Sequence, residues 1–98
     1  MAQFDVHSIE GHGLVVNCQS DLLNDLRSRV VAPLRQPDEP TVSHSRLNPL
    51  VRINQTEYRV AVQFLRAVDN RLLGEKIGSL LDYEYDLKAA IDMIVSGL

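Results

Sequence analysis

Few residues of this chain are of a type that performs chemistry, and their spacing decides what they can do. His7, His12 and His44 are too scattered for any metal-ligand pattern, and the single Cys18 supplies neither a second sulfur ligand nor an internal disulfide. Cys18 closes the apolar run Leu14 to Cys18, where a small buried thiol is expected rather than a nucleophile. Ser20-Asp21 joins a hydroxyl to a carboxylate and with a distant histidine would make a hydrolytic site, but it reads as a turn cap. There is no glycine-rich phosphate loop, nucleophile elbow or paired-cysteine motif, and Asn54-Gln55-Thr56, which matches the glycosylation sequon, reads as a turn. What remains is Glu84, Lys88 and Asp92, charged residues four apart. Their chemistry is recognition, either as a solvated row of i,i+4 pairs or as a partner-facing surface. The expectation is therefore a binding protein and not an enzyme, with no cofactor and no metal.

That charged row needs a helix. From Tyr83 to Leu98 the residues Leu87, Ala90, Ile91, Ile94 and Leu98 fall at the spacing of one apolar face, with the charged row on another. Asp82 is the expected N-cap, with Glu84 and Asp86 near the positive end of the helix dipole. The helix is expected to run into the C-terminus, leaving Ser96-Gly97-Leu98 facing outward.

The rest of the chain is β-rich. Gln3 to His7 and Leu14 to Cys18 read as a hairpin around Glu10-Gly11-His12-Gly13, Asp21 to Leu26 as a turn, and Val30 to Leu34 as a third strand whose Pro33 favours an edge or a bulge. Gln36 to Pro40 is a proline-punctuated loop, and Asn48-Pro49 marks another turn. Leu50 to Asn54 and Glu57 to Val62 read as a second hairpin about Gln55-Thr56. That register sets Val51 opposite Val60, Ile53 opposite Tyr58 and Arg52 opposite Arg59, a like-charge pair implying a solvated face, a shifted register or a bound anion. Phe64 to Val68 and Arg71 to Leu73 suggest further strands.

A length of 98 residues makes one domain, residues 1–98, and 45% hydrophobic with 23% charged residues is ordinary for a folded globular chain. No run approaches the roughly 18 apolar residues of a membrane span, and Met1 to Asp5 lacks a signal-peptide layout, so a cytoplasmic protein with no membrane contact is expected. The net charge of −3 arises entirely from Glu75 onward, where five acids face two bases, while the preceding segment balances at eight of each. A globally basic footprint is absent, which argues against direct nucleic-acid binding, and an acidic terminal helix suits a basic partner.

Taken in order, Gln3-Phe4, Gln19-Ser20-Asp21-Leu22-Leu23, Val31-Ala32-Pro33-Leu34, Gly74-Glu75, Asp86-Leu87-Lys88-Ala89-Ala90-Ile91 and Gly97-Leu98 resemble the CcdB family of plasmid-addiction toxins over essentially the whole chain. The resemblance implies a mainly β fold with a C-terminal α-helix, a strongly bent antiparallel sheet of the SH3-like barrel type shared with MazF and Kid. It also implies a homodimer that binds the DNA gyrase A subunit and traps the gyrase–DNA cleavage complex. As a plasmid-maintenance toxin, it would be neutralised by a CcdA-like antitoxin.

Carried over by position, the gyrase-binding residues are Leu22, Leu23 and Asn24 with Glu84, Tyr85, Lys88, Asp92, Ser96, Gly97 and Leu98, and the dimer contact is Ile94 with its neighbour Ile91. The antitoxin is expected on the sheet edges and the hairpin tip from Ile9 to Gly13. Toxic members of the family end in Trp-Gly-Ile, whereas here Ser96 stands at the tryptophan position. An interface tryptophan is worth about 2 kcal/mol or more, about thirtyfold in affinity, so weaker or absent gyrase poisoning is expected. Two other readings are a MazF- or Kid-like endoribonuclease toxin, with Arg27, Arg29 or Arg52 stabilising the phosphate, and a non-toxic homologue that binds only the antitoxin.

Overall fold

The computed structural model describes residues 1–97. Its strands are β1 (Asp5–Ile9), β2 (Gly13–Asn17), β3 (Ser28–Arg35), β4 (Leu50–Ile53), β5 (Thr56–Val60), β6 (Arg66–Asp69) and β7 (Lys76–Ser79), followed by the single helix α1 (Glu84–Ser96). Every strand pairing is antiparallel, in the order β4-β5-β3-β2-β1-β7 with β6 also on β3. The two ends of that path approach each other. A Cβ on Gly78 of β7 would lie 3.1 Å from Ile53 Cδ1 of β4, and Asn54 Nδ2 donates to the Ile77 carbonyl at 3.5 Å. The sheet is thus a nearly closed barrel with one helix, the bent antiparallel fold expected from the resemblance.

The bend is made inside β3. Ser28 to Val31 pair with β6, whereas Leu34 and Arg35 pair with β5. Pro33, which has no N–H to offer a ladder, stands where the strand changes partner, and its carbonyl accepts from Ala61 N at 2.9 Å. The expected edge position for Pro33 is therefore corrected: it lies at the corner of a strand that is paired on both sides.

Alternation along the strands produces two apolar clusters. The main core joins Phe4, Val6, Val16, Ala32, Leu34, Val51, Val60 and Leu80 to Leu87 and Ala90 of α1, and a smaller one joins Ile9, Val15, Val31 and Val68 on the other face. The first strand begins later than expected. Phe4 is fully buried at φ +69°, held by its N–H on the Asn17 carbonyl at 2.6 Å and its own carbonyl on Leu80 N at 2.8 Å.

The second hairpin differs in register from its sequence reading. Asn54 and Gln55 form the two-residue turn with φ +49° and +70°, the pattern of a type I′ connection, so Val51 faces Tyr58 and Arg52 faces Glu57. Arg52 then pairs with Glu57 at 3.7 Å instead of meeting Arg59. The N-cap expectation is also corrected. A 3-10 turn over Leu81–Tyr83 runs straight into α1, so the backbone is already helical at Asp82 and the cap position is Tyr83, without a side-chain cap.

Candidate functional site

The helix is half docked. Leu87 and Ala90 are buried and Ile91 is half-buried against the core, while Ile94 and Val95 are 44% and 73% exposed, so the apolar stripe leaves the body within its last two turns. Gly97, at φ +74°, closes the helix by donating its N–H to the Met93 carbonyl at 3.0 Å, and Ser96 and Gly97 are exposed. Leu98 lies outside the described residues.

On the opposite face Glu84, Tyr85, Lys88 and Asp92 line one shallow groove with Ala89, of about 360 Å³. Lys88 pairs with Glu84 at 3.5 Å, and the Tyr85 side chain stands 85% exposed. The four helix residues singled out in the sequence are thus brought together. Leu22, Leu23 and Asn24 do not line this groove: Leu22 and Leu23 lie in an exposed 3-10 turn (Asp21–Leu23) after β2 that Asn24 closes, with Leu22 90% exposed. Ser20 Oγ accepts from Leu22 N at 3.2 Å, Gln19 Nε2 donates to the Leu23 carbonyl at 2.9 Å, and Arg29 Nη2 donates to the Asn24 carbonyl at 2.8 Å.

A second groove, of about 480 Å³, adjoins the first across Tyr85 and Ala89 and is completed by Ser45, Arg46, Pro49, Leu50, Arg59 and Asp86. Its floor is a pinned loop. Buried Asn48 accepts from His44 N at 3.2 Å and donates to the Val60 carbonyl at 3.1 Å and Gln63 Oε1 at 2.7 Å, while Arg59 Nη1 donates to the Asn48 carbonyl at 2.9 Å. Sequence reading marked Asn48-Pro49 only as a turn and missed Arg46 and Arg59 as partners in a groove. The available signal was an asparagine beside a proline among bases, an asparagine able to tie a loop to a strand.

Most of the residues considered for chemistry are otherwise engaged, although the His12 side chain makes no hydrogen bond and the buried His7 Nε2 has no partner among the described residues. Cys18 is buried, and desolvation pushes its thiol from the ordinary 9.0 up to about 12, which removes the thiolate that nucleophilic or metal chemistry needs. His7 is buried with Nδ1 on the Gly74 carbonyl at 3.0 Å, and His44 Nδ1 accepts from Arg46 N and Leu47 N. Ser20 and Asp21 serve as caps, Asp21 Oδ1 accepting from Gln3 N at 2.7 Å. No group of three metal-ligating side chains occurs among the described residues. Of the arginines considered for phosphate binding, Arg29 is buried with its guanidinium on the Asn24, Leu26 and Ser28 carbonyls, Arg52 is paired with Glu57, and Arg27 is exposed with no side-chain hydrogen bond or ion pair among the described residues.

Among the described residues no helix is long and apolar enough to cross a membrane. In fold the chain is similar to an endoribonuclease in complex with its cognate antitoxin from a Mycobacterial species (TM-score 0.82, 12% identity, covering 100% of this chain and 96% of that one). A second endoribonuclease from a Mycobacterial species matches with TM-score 0.79 and 12% identity over 100% and 92%. The Mycobacterium tuberculosis toxin MazF-mt6 matches with TM-score 0.74 and 19% identity over 90% and 92%. These neighbours overturn the expectation that the chain is not an enzyme: the barrel it forms is one on which endoribonucleases are built, so a missing sequence motif does not separate recognition from catalysis here. The family model described as CcdB protein matches residues 3–97, and the chain accordingly belongs to the CcdB family of toxins from toxin–antitoxin systems.

Proposed function

We propose that this chain is a CcdB-like toxin of the cytoplasm that recognises the DNA gyrase A subunit through the outer face of α1 and is neutralised by a CcdA-like antitoxin. The observation that carries this reading is the convergence of Glu84, Tyr85, Lys88 and Asp92 on one exposed groove, with Ser96 and Gly97 exposed at the end of the same helix. Leu22, Leu23 and Asn24 contribute a second contact, and a homodimer through Ile91 and Ile94 presents two copies of this surface. Tyr85 is the expected anchor, because an exposed aromatic brings large area at small entropic cost and aromatic residues dominate interface hot spots.

The test is binding to a gyrase A fragment together with accumulation of cleaved DNA in the presence of intact gyrase. Tyr85→Ala is expected to weaken binding by about thirtyfold, and Ser96→Trp to strengthen it by a similar factor. Absence of binding by both the natural chain and Ser96→Trp sinks the gyrase reading. A second reading, an endoribonuclease toxin, is favoured by the endoribonucleases that share this fold. Cleavage of labelled RNA by the same preparation, abolished by an arginine substitution, transfers the chain to it.

A further inference from the structure

We infer that the groove between α1 and the 44–50 loop binds one nucleotide unit, with the phosphate on Arg46 and Arg59 and the base stacked on Tyr85. The inference shares Tyr85 with the gyrase reading, is separated from it by Arg46 and Arg59, and concerns binding alone. It starts from a charge anomaly. The chain carries a net −3, and Arg35, Arg52, Arg71, Lys76 and Lys88 each pair with an acid, whereas Arg46 and Arg59, like Arg27, Arg29 and Arg66, have no ion-pair partner among the described residues, and the groove brings Arg46 and Arg59 together.

The register sharpens the anomaly. Arg59 of β5 lies directly opposite Arg35 of β3, a juxtaposition that costs stability unless an anion relieves it. Arg35 is drawn away, pairing with Glu39 at 3.6 Å and standing 5.5 Å over the Phe64 ring. Among the described residues the Arg59 side chain has only the Asn48 carbonyl, at 2.9 Å. A guanidinium carries five donors in a fixed fork, so the single bond to Asn48 orients Arg59 and leaves donors for a phosphate.

The other walls select the rest of the ligand. A tyrosine ring 85% exposed in the wall of a basic groove is the stacking platform that single-stranded nucleic-acid sites use. Asp86, an acceptor only, suits the amino and hydroxyl donors of a base or a ribose, which the acidic side chains of a peptide do not offer. A volume of about 480 Å³ lies within the range of about 300–1,000 Å³ typical of small-ligand sites. The same chemistry is presented by a free ribonucleotide and by one unit of single-stranded RNA.

The test is a titration of the purified chain with adenosine monophosphate, by calorimetry, and with a labelled single-stranded RNA hexamer, by anisotropy, across a range of salt. Arg46→Ala is the cleanest variant, since the Arg46 side chain makes no hydrogen bond among the described residues. It is expected to weaken binding about tenfold and to flatten the slope of log affinity against log salt by about one. Tyr85→Ala is expected to weaken binding about tenfold with the salt slope unchanged, and Tyr85→Phe to restore it. Saturation by the mononucleotide with this pattern identifies a free nucleotide as the ligand, and binding of the hexamer alone identifies a strand. Binding of neither at millimolar concentration, an affinity indifferent to Arg46→Ala, or tighter binding of an acidic hexapeptide than of RNA overturns the inference.

Discussion

Cys18 shows how burial decides what a reactive residue becomes. Its thiol sits in the main core with Sγ 3.6 Å from the Val16 carbonyl, where desolvation raises its pKa to about 12. The folded state thus holds the proton more tightly than the unfolded chain, in which the thiol ionises near its ordinary 9.0. The sign follows from proton counting. Stability from the neutral thiol is complete below about pH 9 and is lost as pH rises from there toward about 12, because the unfolded state releases its proton first. Cys18→Ala should abolish that part of the alkaline loss. Urea midpoints of the natural chain and the variant, compared at about pH 8 and about pH 10.5, should therefore diverge in slope, and equal declines would show that the thiol contributes nothing.

At the level of elements, the β4–β5 hairpin marks the limit of what residue patterns convey. Both strands follow from alternation, but the residue pattern sets the turn one residue late, because glutamine is an unusual occupant of a left-handed position and Gln55 occupies one at φ +70°. The correction preserves the faces, since Tyr58 and Val60 lie on the same side of β5, and it changes the partner of Arg52 from a base to Glu57. Replacing Gln55 by glycine yields the Asn-Gly pair that type I′ turns prefer. An increase of about 0.5–1 kcal/mol in unfolding free energy is expected, and thermal melts showing a loss instead would mean that the Gln55 side chain, rather than its backbone, sustains the turn. The helix was easier to read, because its apolar stripe is local in sequence. The larger groove was not readable, since Arg46 and Arg59 come from a loop and a strand that meet α1 only after the barrel closes.

For the whole molecule, the resemblance conveyed the barrel and the helix correctly but not the choice between recognition and catalysis, because one bent sheet supports both kinds of toxin. What the body leaves uncovered directs attention to assembly. Ile91, half-buried, and Ile94, 44% exposed, continue along the second half of α1 the stripe that Leu87 and Ala90 bury. Covering them requires a second surface, and a second copy of the same helix offers an equal stripe in an isologous contact. Dimerisation through Ile94 predicts that sedimentation equilibrium finds twice the chain mass and that the melting temperature rises with protein concentration. Ile94→Asp should sediment as a monomer with a concentration-independent melting temperature, while keeping the native circular dichroism, since Ile94 lies outside the main core. A variant that sediments like the natural chain would place the dimer contact, if one forms, on another face and leave the projecting stripe for a different partner.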